Sequence, residues 1–134
     1  MRKNDGTLNG QLSRIISETG HTDQLVVTDA GLPIPAQVER VDLAVRAGLP
    51  SFLDVLDTVL HEVVVEGATV SSEIRDQSPD LLSRIEERFA PLGITIEFVP
   101  HVEFKQRTLT ARAAVRSGEF TPYANVILHA GVAY

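Results

Sequence analysis

The 134-residue sequence contains no cysteine, which excludes disulfides, thiolate nucleophiles and metal sites built on cysteine. It also lacks the phosphate-binding patterns Gly-x-Gly-x-x-Gly and Gly-x-x-x-x-Gly-Lys-Ser/Thr, so we expect no nucleotide cofactor. No Gly-x-Ser-x-Gly elbow is present to supply a serine nucleophile. Any chemistry therefore rests on histidine, carboxylate and other polar side chains that act on a small ligand.

Basic residues are in the minority and do not cluster. Twelve Lys and Arg stand against eighteen Asp and Glu, which gives a formal net charge of −6. We therefore expect no nucleic-acid partner and no anionic membrane partner. No apolar run approaches the length of a membrane span, and the polar residues 1–6 lead into no signal-peptide core. These absences predict a cytoplasmic protein.

Metal binding is not expected, although four histidines are present: His21, His61, His101 and His129. No two of them have the four-residue spacing of a helical metal site, and no cysteine assists them. His61 and His129 are flanked by apolar residues. We interpret these two as structural histidines with hydrogen-bond partners in the fold.

Apolar patterning predicts a single α/β domain over residues 1–134, with a mostly parallel sheet flanked by helices in Rossmann-like layers. Helical spacing predicts helices at 8–16, 52–60, 79–89 and 102–115. Short β-branched or alternating runs predict strands at 25–27, 40–45, 61–66, 94–99 and 125–128. The segment 65–74 is compatible with an extended strand or with the start of a helix.

The strand at 25–27 has a titratable residue near each end, His21 before it and Asp29 after it. Ligands of open α/β sheets bind beyond the carboxyl ends of the strands, where Asp29 and its Gly/Pro-rich loop lie. His101 follows the strand at 94–99, so we expect it at the same edge as Asp29. The alternative is that Asp29 caps a turn and that His21 ends a helix.

Two further stretches contain candidate ligand-binding groups. His101 and Lys105 lie four residues apart in a predicted helix and so share a face. Tyr123 and Asn125 follow a turn-rich loop and precede an apolar strand; a phenol ring and an amide suit a sugar face and its vicinal hydroxyls. From these residues alone, a loop-packing Tyr123 and a turn-forming Asn125 remain the alternative.

Three motifs in this order resemble the ribose pyranase / fucose mutarotase family. They are the stretches Gly20-His21-Thr22-Asp23 with Asp29-Ala30-Gly31-Leu32-Pro33-Ile34-Pro35, the His101–Lys105 pair, and Gly118-Glu119 with Pro122-Tyr123-Ala124-Asn125. The similarity extends over nearly the whole chain. The form of the 29–35 stretch is more similar to the ribose branch than to the fucose branch.

The resemblance implies a cofactor-free isomerase that interconverts the pyranose and furanose forms of D-ribose. It implies that His21 is the proton donor. The expected sugar-binding residues are Asp29, His101, Tyr123, Ala124 and Asn125, and Lys105 is a further candidate. It also implies a homo-oligomer of pentameric rings, often decameric, in which Tyr123 and Asn125 share a site with His21 of an adjacent subunit.

Two other functions stay open at this point. The first is fucose mutarotase activity, the exchange of pyranose anomers. The second is a non-catalytic sugar-binding or regulatory subunit, which would keep Tyr123 and Asn125 without needing an acid. The apolar strand at 126–128 also favours assembly, because a neighbouring subunit is one way to cover it, although helices of the same chain are another.

Overall fold

A computed structural model describes residues 1–3 and 5–134 of the chain. The helices are α1 Gly10–Glu18, α2 Phe52–Glu62, α3 Ile74–Gln77, α4 Pro79–Phe89 and α5 His101–Arg107. The strands are β1 Gln24–Thr28, β2 Glu39–Asp42, β3 Val65–Ser71, β4 Ile96–Val99, β5 Ala113–Arg116 and β6 Val126–Ala130. No helix in the described ranges is long and apolar enough to cross a membrane.

The strands form one mostly parallel sheet in the order β2-β5-β1-β6-β3-β4. The pairs β1–β5, β2–β5 and β3–β4 are parallel, whereas β6 runs antiparallel to both of its neighbours, β1 and β3. The carboxyl ends of β1 to β5 and the amino end of β6 therefore share one edge of the sheet, which we call the carboxyl edge. The opposite edge is called the amino edge.

Alternation along the strands divides the core between the two faces of the sheet. In β1, Leu25 and Val27 belong to one apolar cluster and Val26 to the other. Helices α1, α2 and α4 pack on the first face, and Phe104 of α5 packs on the second. The predicted single α/β domain with a helix-flanked sheet is confirmed.

Serines occupy the amino-terminal cap positions of α2 and α4, but only the first makes a capping hydrogen bond. Ser51 caps α2, because its Oγ accepts a hydrogen bond of 3.1 Å from Asp54 N–H. Ser78 occupies the cap position of α4, but its side chain makes no capping bond. Its hydroxyl instead donates to the carbonyl of Pro122 at 2.7 Å, which ties α4 to the loop before β6.

The strand predicted at 61–66 is wrong in its first half. His61 and Glu62 are the last residues of α2, and the strand begins at Val65. Val63 N–H donates to the carbonyl of Val59, so the backbone stays helical to this point. Val63 itself is the cap residue of α2, with an extended backbone of φ −114° and ψ 130°, and its side chain packs on the core beside the helix. In the ambiguous segment, β3 continues to Ser71 before α3 begins.

The helix predicted at 102–115 is also wrong in its second half, because α5 ends at Arg107 and residues 113–116 form β5. Ala113, Ala114 and Val115 are buried between β2 and β1. A short apolar run of this kind has no periodicity that separates strand from helix. Alanine favours helix locally, and pairing on both sides overrides that preference.

The last strand needs no neighbouring molecule to cover it. β6 lies between β1 and β3, and Val126, Ile127 and Leu128 are at most 1% exposed within the single chain. The argument that this apolar strand favours assembly is therefore wrong. Its own sheet neighbours and the flanking core clusters bury it.

Candidate active site

A cavity of about 550 Å³ opens at the carboxyl edge of the sheet. It is formed by the loop after β1, the start of α5, the end of β5 and the loop before β6. The lining residues are Asp29, Ala30, Gly31, Leu32, Pro33, His101, Arg116, Glu119, Phe120, Thr121, Pro122, Tyr123 and Asn125. The strand directions thus bring Asp29, His101, Tyr123 and Asn125 together, as the sequence predicted for the first two.

Asp29 and Asn125 form the fixed polar centre of the cavity. The Asn125 amide donates to Asp29 Oδ2 at 3.1 Å, and Asn125 Oδ1 accepts from Asp29 N–H at 2.8 Å. Asp29 Oδ1 accepts from the backbone N–H groups of Gly31 and Leu32 at 2.9 and 2.8 Å. Because Asn125 is 1% exposed, its amide mainly orients the carboxylate, which can accept further hydrogen bonds from a ligand.

Tyr123 has a left-handed backbone, with φ of 62°. This conformation is uncommon for a bulky residue and is found disproportionately at functional sites. The ring of Tyr123 meets the ring of His101 edge to face, with 5.1 Å between centroids and an interplanar angle of 85°. Ala124, the next residue, is fully buried and does not line the cavity.

His101 is fixed by backbone, hydroxyl and ring contacts. Its backbone N–H donates to both carboxylate oxygens of Glu73, at 3.0 and 3.1 Å, and its Nδ1 lies 2.7 Å from Ser71 Oγ. Phe104 stacks on the imidazole at 6.1 Å between centroids. Burial and the nearby Lys105 charge hold the pKa of His101 below its ordinary value, which favours the neutral ring.

Lys105 is exposed on α5 and is not among the residues that line the cavity. Its effect on the site within one chain is electrostatic, through the pKa of His101. His101 and Lys105 both lie in α5, so the predicted placement of the pair one helical turn apart is confirmed.

Sequence analysis missed Arg116 and Glu119 as site residues. Arg116 donates from Nε to the carbonyl of Ala30 at 3.0 Å and from Nη1 to Asp42 at 3.1 Å, which ties the loop after β1 to β2. Recognition of residues 113–116 as a strand would have placed both side chains at the carboxyl edge.

Glu119 supports the cavity wall rather than offering a free charge. It accepts from Phe52 N–H at 3.0 Å and from the Thr121 hydroxyl at 2.8 Å. Burial alone would raise the pKa of the Glu119 carboxyl, yet these hydrogen bonds hold that pKa below its ordinary value. The carboxylate therefore joins the start of α2 to the loop before β6.

His21 lies at the amino edge, away from the cavity. It occupies the turn between α1 and β1, where its Nε2 is 3.2 Å from both carboxylate oxygens of Glu66. Its side chain is 52% exposed. β1 contains five residues, which at about 3.3 Å per residue separates the two edges by about 16 Å. Within one chain, His21 cannot reach a ligand bound beside Asp29.

The remaining histidines have other surroundings. His129 Nε2 is 2.9 Å from the Thr69 hydroxyl and its Nδ1 is 3.4 Å from the Gln24 amide, as expected of a structural histidine. His61 lies on the surface, 3.1 Å from Asp5. Across residues 1–3 and 5–134, no three His, Asp or Glu side chains converge in a way that could hold a metal ion.

Comparisons with known proteins cover nearly the whole chain. A sequence model of the RbsD / FucU transport protein family matches residues 2–133. The D-ribose pyranase of Laribacter hongkongensis is 50% identical over 134 residues, which cover 100% of each chain.

Solved structures with bound sugars have the same fold. The structure of Bacillus subtilis RbsD complexed with D-ribose matches with a TM-score of 0.94 and 41% identity, covering 99% of this chain and 100% of that one. The fucose mutarotase of Streptococcus pneumoniae in complex with L-fucose matches with a TM-score of 0.81, covering 100% of both chains. Its identity of 23% limits that likeness to the fold.

Proposed function

This chain belongs to the RbsD / FucU transport protein family, and we propose that it is an isomerase that interconverts the pyranose and furanose forms of D-ribose. The observation that supports this most strongly is the full-length match to B. subtilis RbsD complexed with D-ribose. The 50% identity to a D-ribose pyranase supports the same activity. The cavity at the carboxyl edge supplies polar groups suited to a small polyol.

Ring exchange is a proton-transfer reaction. A base removes the proton of the anomeric hydroxyl while an acid protonates the ring oxygen, so the C–O bond breaks and an open-chain aldehyde forms. The chain rotates, a different hydroxyl attacks the carbonyl carbon, and the two proton transfers reverse. Because no electron or group leaves the sugar, positioned acid–base groups suffice, and each typically contributes about 10²–10⁴-fold.

We assign the sugar contacts to the residues around the cavity. Asp29 accepts hydrogen bonds from sugar hydroxyls, and Asn125 orients that carboxylate. Tyr123 and His101 offer a ring face and polar atoms. Ala124 contributes through its backbone, and Lys105 stays a secondary candidate. His21 is proposed as the proton donor, on the strength of the family resemblance.

The separation of His21 from the cavity supports a site shared between subunits. His21 is exposed at the amino edge, while Asp29 and Asn125 lie about 16 Å away at the carboxyl edge. A second copy that brings its amino edge to this cavity would unite them. We propose a homo-oligomer of this kind, with pentameric rings or decamers as the expected assemblies and the cytoplasm as the expected location.

The activity is tested by saturation-transfer NMR of D-ribose with and without the protein, and of L-fucose in parallel. We expect accelerated exchange between ribopyranose and ribofuranose signals. Faster anomer exchange of L-fucose with no effect on ribose would instead indicate a fucose mutarotase. Binding of ribose with no exchange would indicate a non-catalytic sugar-binding subunit.

The shared site is tested by mixing His21→Ala and Asn125→Ala subunits after reversible dissociation. Random exchange at a 1:1 ratio gives both intact halves to about a quarter of the sites, so we expect about a quarter of the wild-type activity. His61→Ala mixed with Asn125→Ala should keep about half of the wild-type activity with or without exchange, so it controls for activity lost during dissociation. No recovery despite exchange shown by mass spectrometry would place each site within one chain.

A further inference from the structure

Ser71 is the last residue of β3, and its hydroxyl lies behind the imidazole of His101. The Ser71 side chain is fully buried, and its Oγ is 2.7 Å from His101 Nδ1. His101 lines the cavity, and its Nε2 has no protein partner in the described part of the chain. One ring nitrogen thus faces the protein interior, while the other is left for a ligand.

The buried hydroxyl restricts which nitrogen holds the imidazole proton. Within residues 1–3 and 5–134, Ser71 Oγ makes this one hydrogen bond. If Nδ1–H donated to Oγ, the hydroxyl hydrogen would have no acceptor in a site closed to solvent, which is unfavourable. If the hydroxyl donates to Nδ1, its hydrogen is satisfied. A neutral imidazole that accepts at Nδ1 has its proton at Nε2.

We propose that Ser71 is a positioning residue that holds neutral His101 in the tautomer protonated at Nε2, so that His101 meets its ligand as a hydrogen-bond donor. Contacts with Phe104 and Tyr123 limit rotation of the ring, and two bonds to Glu73 fix its backbone. A 180° flip of the ring would put Cδ2 in the place of Nδ1 and would lose the hydrogen bond to Ser71.

The tautomer makes the two walls of the cavity complementary. Asp29 is acceptor-only when ionised, whereas His101 is donor-only at its free nitrogen. This step rests on the proposed function, in which the ligand is a sugar. His101 Nε2–H then donates to a ring or hydroxyl oxygen of the sugar, and Asp29 accepts from one of its hydroxyls. A sugar in which the hydroxyl that donates to Asp29 is replaced by a methoxy group should therefore bind poorly.

The wild-type protein gives the first test, without any variant. Two-bond ¹H–¹⁵N spectra of the imidazoles, recorded above the pKa of His101 and assigned with His101→Gln, report which nitrogen is protonated. We expect the Nε2–H pattern for His101. An Nδ1–H pattern would overturn the proposal.

Substitution of Ser71 gives a second test, in which the direction of the change in the pKa of His101 decides. A hydroxyl that donates to Nδ1 stabilises the neutral ring, so Ser71→Ala should raise the pKa of His101 and increase the share of the Nδ1–H tautomer. A lowered pKa would show that Ser71 accepts the bond, and the proposal would fail. Ribose affinity should fall about fivefold in Ser71→Ala, the effect of one neutral hydrogen bond, and Ser71→Thr should restore part of it.

Thr69→Val is the matched control. Thr69 is fully buried on the same strand, and its hydroxyl contacts a different histidine, His129, outside the cavity. This variant should leave the tautomer and pKa of His101 unchanged. Because the NMR readout needs no turnover, a correct tautomer with no ribose exchange would count against the proposed function and not against the role of Ser71.

Discussion

His101 and His21 lie at opposite edges of one sheet and differ in how the chain holds them. His101 is partly buried between Phe104 and Tyr123, and Ser71 and Glu73 hydrogen-bond to it. His21 stands in an exposed turn with a single carboxylate partner, Glu66. A single chain thus holds the proposed sugar-binding residues in place, whereas the proposed acid would be positioned by the proposed assembly.

The largest effect should come from removal of the exposed histidine. We expect His21→Ala to slow ribose ring exchange by about 10²-fold or more, since it deletes the proposed proton donor. Unfolding free energy should change by less than about 0.5 kcal/mol, because the side chain is exposed. NMR exchange and urea unfolding measure the two quantities. His61→Ala, which removes another exposed histidine beside a carboxylate, should leave exchange unchanged; an unaffected His21→Ala would remove His21 from the mechanism.

At the carboxyl edge, the largest loss of stability should come from substitution of Gly118, in the loop after β5. A Cβ at this position would lie 2.5 Å from the carbonyl oxygen of Arg46 and closer still to that of Leu49. Because both are backbone atoms, we expect Gly118→Ala to lower the free energy of unfolding by about 3 kcal/mol. Gly10→Ala is the control, since nothing lies within 4 Å of its Cβ. Equal stability of the two variants in urea would contradict this packing.

The surroundings of His21 and His101 also show which parts of the fold and the site could be predicted from the sequence. The strand between His21 and Asp29 was predictable from a β-branched run bounded by glycines, and it correctly put the two residues at opposite ends. The partnership of Asp29 and His101 followed from parallel strand direction. Arg116 and Glu119 were hidden because Ala113–Val115 has no strand periodicity. The bond between Ser71 and His101 joins the end of β3 to the start of α5, and no local sequence pattern indicates it.

A pH titration of the free energy of unfolding tests the two partly buried histidines, His101 and His129. Burial lowers the pKa of both His101 and His129 in the folded protein. As the pH falls below the ordinary value of about 6.5, the unfolded chain takes up these protons first, so stability decreases. We expect a loss of at most about 1.4 kcal/mol per pH unit for each histidine. The double variant His101→Gln/His129→Gln should flatten the curve just below pH 6.5, and an equally steep curve would contradict the assignment.

The smallest effect should come from Lys105, an exposed charge on the same helix as His101. Lys105 lies four residues after His101 on α5, and its positive charge adds to burial in lowering the pKa of His101. Lys105→Gln should therefore raise that pKa, and Lys105→Arg, which keeps the charge, should not. The shift should shrink in 1 M NaCl, because exposed charges are screened over about 3 Å at that ionic strength.

NMR titration of the imidazole C–H signals measures this shift directly. Protonation of His101 adds a hydrogen at Nδ1 and ends the bond that this nitrogen accepts from the Ser71 hydroxyl. If this bond positions the ring for its ligand, ribose binding in Lys105→Gln should begin to weaken at a higher pH than in the wild type. A change in ribose affinity at pH 8, where His101 is neutral in both proteins, would mean instead that Lys105 contacts the sugar. The same pair of variants thus separates an electrostatic role of Lys105 from a direct one.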